Sequence, residues 1–145
     1  PILTDDGVGV RVARLLAERL SDEPDVTVAE ASVGGLRLLE IVAGYDRLVL
    51  VDAIQTADGQ PGQIHRLTSD AFCASLHSGC SHDMDLFTAL ALGRKLGMPM
   101  PQEITIIAIE VENVVTFGEK CTPRVEAAIP VACVMVLKEL GFKCS

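Results

Sequence analysis

The stretch Leu48-Val49-Leu50-Val51-Asp52-Ala53 determines the predicted fold. Its four consecutive apolar residues, two of them β-branched, predict a strand buried on both faces, as in a parallel sheet covered by helices. Asp52 follows this run and would lie at the carboxyl end of a central strand, next to which open α/β sheets bind their ligands. Asp52 is therefore a candidate site residue. A carboxylate that caps the next turn or pairs with a nearby Lys or Arg fits the same pattern.

Helices and strands are predicted in alternation on both sides of this stretch. Apolar residues at helical spacing predict helices at about 7–20, 35–43, 83–97 and 123–140. A short edge strand is predicted at 63–67, and fuller strands at 26–30, 46–52 and 104–109. In the first helix the residues expected to face the core are Val8, Val12, Leu15, Leu16 and Leu20. Such alternation is typical of right-handed βαβ units and of an α/β fold with a parallel sheet.

Composition and charge narrow the class of protein. The chain has 145 residues, 49% of them apolar, which is enough for a single domain over 1–145 with its own core. Its 20 acidic and 12 basic residues give a net charge of -8, and the basic residues are scattered, which excludes a nucleic-acid-binding surface. This balance suits a cationic or metal-bearing partner. No apolar run reaches the roughly 20 residues of a membrane-spanning helix, and no secretory leader is visible, so a cytoplasmic protein is expected.

Two carboxylates and one imidazole are the strongest candidates for a site. Asp5 and Asp6 precede the first helix, Asp52 ends a strand, and His82 begins a helix. In a doubly wound sheet these three segments converge on one rim, and their side chains suit a divalent ion such as zinc or nickel with open coordination positions. The positive end of a helix favours the neutral, metal-binding form of His82. A histidine that only caps its helix is the alternative.

Other constellations in the sequence offer weaker candidates. The chain has no G-x-S-x-G, H-E-x-x-H, G-x-G-x-x-G or P-loop motif. Glu110 and Glu112 follow a strand and could supply a further ligand or a base, although solvated glutamates are the preferred interpretation. The five cysteines form no C-x-x-C pair, and their odd number favours reduced thiols. A zinc site without the usual finger spacing could be formed by Cys73, His77, Cys80 and His82.

The segments described so far also resemble, in order and over nearly the whole chain, the NiFe-hydrogenase maturation endopeptidases. Any one segment is short, but the ordered set is specific. The resemblance is carried by PILTDDGVGVRV at 1–12, GGLRLL at 34–39, DRLVLVDA at 46–53, Ser81-His82 before a helix that ends at Gly97, and TPRVEAA at 122–128. Family members normally carry a first strand ending in Gly-Asn just before the position of Pro1, so the sequence is expected to be incomplete at its N-terminus.

The resemblance implies a fold, an activity and a set of site residues. The implied fold is a three-layer helix-sheet-helix sandwich around a mostly parallel, twisted sheet. The implied activity is a nickel-dependent, aspartic-type or metal-assisted endopeptidase that removes the C-terminal extension of the hydrogenase large-subunit precursor after nickel insertion. The metal-contacting residues of the family fall on Asp6, Asp52 and His82, which leaves Asp5 to cap the first helix. These residues would recognise nickel carried by the precursor, and zinc or cadmium could occupy the same site.

Two other functions are compatible with the same residues. The first is a non-enzymatic α/β module that binds nickel or the precursor as a checkpoint. The second is an enzyme that holds its own zinc and hydrolyses small peptides. For an endopeptidase, a metal that bridges enzyme and precursor would act as a template for the scissile peptide, and it could also polarise the carbonyl or activate a water. The sequence does not choose between these roles, or between Asp6 and Asp52 as a base.

Overall fold

Four helices and three strands are formed by the residues that the computed structural model describes. These residues are 7–29, 36–56, 58–68, 81–111 and 122–142, with only the backbone described at 36–38 and 81–87. In chain order the elements are α1 (Val8–Arg19), α2 (Leu36–Val42), β1 (Arg47–Ile54), β2 (Ile64–Thr68), α3 (Ser81–Lys95), β3 (Glu103–Glu110) and α4 (Pro123–Glu139). The α/β class predicted from the sequence is confirmed, as are the four predicted helices.

The strands form a mixed sheet in the order β1-β3-β2. Backbone hydrogen bonds join Gln102 N–H to Asp46 O and Val111 N–H to Ile54 O, both at 3.0 Å. The pairing advances in the same direction on both strands, so β1 and β3 are parallel. The short strand β2, predicted as an edge strand, runs antiparallel to β3 at the other side of the sheet.

The chain divides into two compact units. The first comprises residues 1–30, 49–67 and 106–145, and the second comprises residues 31–48 and 68–105. In the first unit α1 packs against α4, and both contribute to the core together with β3. The buried residues of this core include Val8, Val12, Leu16, Ile107, Ile109, Val125, Ile129, Ala132 and Val136. In the second unit α2 packs against α3, with Leu39, Val42 and Leu90 buried.

Three sequence predictions about these elements are wrong. The first is that β1 is a central strand buried on both faces; within the described residues it lies at one edge of the sheet, and most of its side chains are only partly buried. The buried central strand is β3, which has a neighbour on each side. The second is the strand at 26–30, because residues 26–29 form no strand although Val26 and Val28 pack against the core. The third is burial of Leu15, which is 41% exposed.

None of the helices in the described part of the chain has both the length and the hydrophobicity that are needed to cross a membrane.

Candidate functional site

Asp52 lies in β1, two residues before the strand ends at Ile54, and its side chain is partly buried. Val49, Val51 and Ala53 pack against the core that includes α1 and α4. Because side chains alternate along a strand, Asp52 and Ile54 lie on the opposite face of the sheet. The backbone N–H of Ala53 donates a hydrogen bond of 2.9 Å to Asp52 Oδ1, and this contact restrains the orientation of the carboxylate.

The first turn of α1 approaches β1 closely beside Asp52. A Cβ atom added to Gly9 would lie 2.5 Å from the carbonyl oxygen of Val51 and 3.7 Å from the Cα atom of Asp52. Only a residue without a side chain fits such an approach of two backbones. Gly7, which precedes the helix, is buried. The start of α1 is therefore built against the part of the strand that carries Asp52.

The three predicted site residues are described to different extents. The side chain of Asp52 is described, whereas His82 is the second residue of α3 and only its backbone is described. Asp6 lies outside the described residues, as do Asp5 and three members of the alternative zinc set, Cys73, His77 and Cys80. Among the side chains that are described, no three His, Cys, Asp or Glu groups come together as a metal site. The convergence of Asp6, Asp52 and His82 stays a prediction.

Glu110, at the end of β3, is buried with 1% of its surface exposed, so the prediction of a solvated glutamate is wrong for this residue. Its Oε2 accepts a hydrogen bond of 3.2 Å from Thr56 N–H, and its Oε1 accepts one of 2.5 Å from the Thr56 hydroxyl. His65 Nε2 lies 3.2 Å from the same Oε1 and donates to it when that nitrogen carries the proton. A Cβ atom on Gly59 would lie within 2.3 Å of all three carboxyl atoms. We call Glu110, Thr56, Gly59 and His65 the Glu110 cluster.

A buried carboxylate requires hydrogen-bond donors, and the donors of the Glu110 cluster come from distant parts of the sequence. Thr56 is 54 residues and His65 is 45 residues from Glu110 along the chain. Neither partner stands at a spacing that a sequence motif could reveal. The available signal is that Glu110 lies between Ile109 and Val111, in a run that predicts burial on both faces.

Cys133 is not a nucleophile candidate. Cys133 belongs to α4, its thiol is buried in the core, and its Sγ is 4.0 Å from the carbonyl oxygen of Val12. Burial raises the pKa of the Cys133 thiol, against a smaller opposite effect of the positive charge of Arg19. Since the thiolate is the reactive form of cysteine, a buried thiol with a raised pKa reacts poorly. The other four cysteines lie outside the described residues.

Comparison with known proteins identifies the family. The sequence profile of hydrogenase maturation proteases matches residues 10–139. The chain belongs to this family. It is 29% identical, over 96% of its own length and 84% of the relative's, to the hydrogenase 2 maturation protease of Escherichia coli strain K12. The hydrogenase maturating endopeptidase HybD of Escherichia coli has the same fold, with a TM-score of 0.79, 28% identity, and coverage of 97% of this chain and 88% of HybD.

A hydrogenase maturation protease from another organism is similar to a slightly lesser extent. The NiFe hydrogenase maturation protease HybD of Thermococcus kodakarensis matches with a TM-score of 0.75 and 25% identity, over 95% of this chain and 91% of that protein. The family resemblance inferred from the sequence is therefore confirmed. As a hydrogenase maturation protease, this chain is a hydrolase that acts on peptide bonds.

Proposed function

We propose that this hydrogenase maturation protease removes the C-terminal extension from the large-subunit precursor of a NiFe hydrogenase after nickel has been inserted. In this proposal Asp6, Asp52 and His82 contact the nickel that the precursor carries. The nickel is then a part of the substrate, and the enzyme uses it to recognise a precursor that is ready for cleavage. The names of the two relatives from Escherichia coli support a hydrogenase precursor as the client.

The observation that carries the proposal is the position of Asp52. Its carboxylate stands near the carboxyl end of β1, on the face of the sheet that points away from the core of α1 and α4. Ligand sites of α/β proteins lie beyond such strand ends. The close packing of Gly9 against Val51 supports a role for Asp6, because Asp6 is only three residues before Gly9 in the sequence. Two carboxylates and a neutral imidazole suit nickel, which accepts both oxygen and nitrogen ligands.

In this proposal these residues contribute to cleavage by orienting the substrate. A cation seated in the precursor and held by Asp52 and its partners places the adjacent peptide segment at a fixed position on the enzyme. Holding the scissile peptide in a reactive geometry removes much of the entropic barrier to hydrolysis. A precursor without its cation lacks this anchor and is not held for cleavage. Nickel insertion therefore precedes cleavage. Cytoplasmic location is part of the same proposal.

The test of this proposal is the processing of nickel-loaded precursor, followed by the mobility shift of the large subunit on a gel. We expect the wild type to cleave, and Asp52→Asn or His82→Ala to slow cleavage by roughly 100-fold because the cation is no longer held in place. Asp46→Asn is the matched control, since Asp46 is an exposed aspartate just before the same strand. Processing by both site variants at the wild-type rate would contradict the assignment.

The same experiment separates the checkpoint function from the endopeptidase. A checkpoint module would co-purify with nickel-loaded precursor and leave the tail attached. An enzyme that holds its own zinc would instead contain stoichiometric metal after purification and would cleave unrelated peptides.

A further inference from the structure

We propose that Glu110 is a positioning residue for the cleavage reaction. In this role it fixes residues 55–56 and 58–63, which continue from the strand of Asp52 and which we call the post-β1 loop. This inference rests on the proposed function, because it assigns to Glu110 the task of holding the Asp52 end of β1 in the geometry that cleavage requires. Glu110 is too deeply buried to contact a client protein, so its effect must pass through the residues that it holds.

The side chain of Glu110 is the centre around which the post-β1 loop is folded. Both carboxylate oxygens accept hydrogen bonds from Thr56, one from its backbone N–H and one from its hydroxyl. Gly59 lies so close to the carboxyl group that a Cβ atom at that position would require the carboxylate to shift. His65, just beyond the loop in β2, contacts the same carboxylate. The carboxylate therefore contacts the loop near its start and middle, and the strand that follows it.

The backbone of Glu110 and its neighbour fixes the two ends of the same loop. At the start of the loop, Val111 N–H donates to Ile54 O at 3.0 Å. At its end, Gly62 N–H donates to Glu110 O at 2.9 Å, and Glu110 N–H donates to Gln63 O at 2.8 Å. A change in the position of Glu110 would therefore be transmitted to Ile54 at one end and to Gln63 at the other.

Glu110 and Asp52 lie on the same face of the sheet. The hydrogen bond from Val111 N–H to Ile54 O places Glu110 beside Ile54 in the parallel ladder, and Asp52 is two residues before Ile54. A spacing of about 4.8 Å between strands and a rise of about 3.3 Å per residue put the Cα atoms of Asp52 and Glu110 roughly 8 Å apart. The end of β1 thus connects the buried carboxylate to the proposed nickel contact over a short distance.

The chemistry of the cluster predicts which substitutions preserve it. Leucine accepts no hydrogen bond, so Glu110→Leu removes the acceptor that holds the Thr56 N–H and hydroxyl at the end of β3. Glutamine keeps the shape, and its amide oxygen can accept from Thr56 N–H. Its amide nitrogen can then donate to the Thr56 hydroxyl and to His65 Nε2, since both groups can act as acceptors. Glu110→Gln is therefore the conservative variant that should restore positioning.

The experiment compares cleavage of nickel-loaded precursor by the full-length enzyme and five variants. The test variants are Glu110→Leu and Thr56→Val, and the conservative variants are Glu110→Gln and Thr56→Ser. The matched control is Glu103→Leu, at the opposite end of β3, where the side chain is 67% exposed and pairs with Arg47 on the surface. The single-turnover rate constant and the precursor concentration at half-maximal rate are measured well below the melting temperature of each variant, which circular dichroism determines.

We expect Glu110→Leu to lower the rate constant by roughly 10- to 100-fold and leave the half-saturating precursor concentration near the wild-type value, because misplacement affects the reaction more than docking. Thr56→Val should lower the same rate constant without unfolding the protein, since valine keeps the shape of threonine. Thr56→Ser, Glu110→Gln and Glu103→Leu should cleave at the wild-type rate. A purely structural role would lower the melting temperature and leave the rate of folded enzyme unchanged.

Two outcomes would overturn this role, and they are distinguishable from failure of the proposed function. Wild-type rates for folded Glu110→Leu and Thr56→Val, together with the roughly 100-fold slower cleavage expected of Asp52→Asn, would refute the role of Glu110 and leave the endopeptidase in place. A wild-type enzyme that leaves nickel-loaded precursor uncut would refute the proposed function and the role of Glu110 with it.

Discussion

Two glycines shape the backbone near Asp52, each by the absence of a side chain. Gly9 lets the first turn of α1 approach the carbonyl oxygen of Val51, and Gly59 lets the post-β1 loop lie against the carboxylate of Glu110. Neither glycine needs a positive φ angle for this purpose; what each one supplies is space. The close contacts of these two glycines are not predictable from the sequence, because the residues that they meet are 42 and 51 positions away along the chain.

Gly9→Ala should destabilise the protein, although replacing glycine with alanine in a helix usually stabilises it. In a free helix position, Gly→Ala stabilises by about 0.5–1 kcal/mol. At Gly9 the new Cβ would meet a backbone oxygen at 2.5 Å, so the strand must shift. We expect Gly9→Ala to lower the melting temperature and, through the displaced Val51-Asp52 backbone, to slow cleavage of the precursor. Thermal unfolding and the gel assay measure the two effects.

Gly97→Ala is the control for this substitution. Gly97 has φ of +79°, and a Cβ atom there would meet no described atom within 4 Å. The change should therefore cost about 1–2 kcal/mol of folding free energy through backbone strain alone. Cleavage by the folded enzyme should stay at the wild-type rate. A Gly9→Ala variant that is more stable than the wild type would show that α1 and β1 are not in the contact described here.

At the scale of helices and strands, local pattern predicted the elements well and their places in the sheet poorly. Spacing of four residues predicted the buried positions Val8, Val12, Leu16 and Leu20 correctly. The apolar runs of β1 and β3 look alike in the sequence, yet β3 is central and buried whereas β1 lies at an edge among the described residues. Strand order depends on pairing between distant segments, and no local pattern encodes it.

The two adjacent leucines of α1 provide a sharp test of the packing of this helix on α4. Leu16 is 4% exposed within the core, and Leu15 is 41% exposed although the pattern predicted that both are buried. We expect Leu16→Ala to lower the free energy of unfolding by about 2–5 kcal/mol, because it leaves a cavity. Leu15→Ala, the matched control, should change it by no more than about 0.5 kcal/mol. Urea unfolding of both variants measures the difference, and equal losses would contradict the packing.

At the scale of the whole molecule, the family was predictable because an ordered set of short segments spans the chain. Asp6, Asp52 and His82 are separated by 46 and 30 residues, so their spacing alone indicates no site. The resemblance over the chain assigned them, and the profile match to residues 10–139 confirms the family. The Glu110 cluster was not predictable in this way. Its members become partners only when β2 and the post-β1 loop are arranged beside β3.

The state of the client's metal should control the reaction of the whole enzyme. With a net charge of -8 and a proposed contact set that includes two carboxylates, the protein should bind a nickel-loaded precursor better than a metal-free one. We expect precursor prepared without nickel to stay uncut by the wild type, and cleavage to begin when nickel is inserted into the same preparation. Gel mobility over time measures both phases. Cleavage of the nickel-free precursor at the same rate would show that the enzyme does not need the cation to recognise the precursor. It would favour hydrolysis by residues of the protein alone.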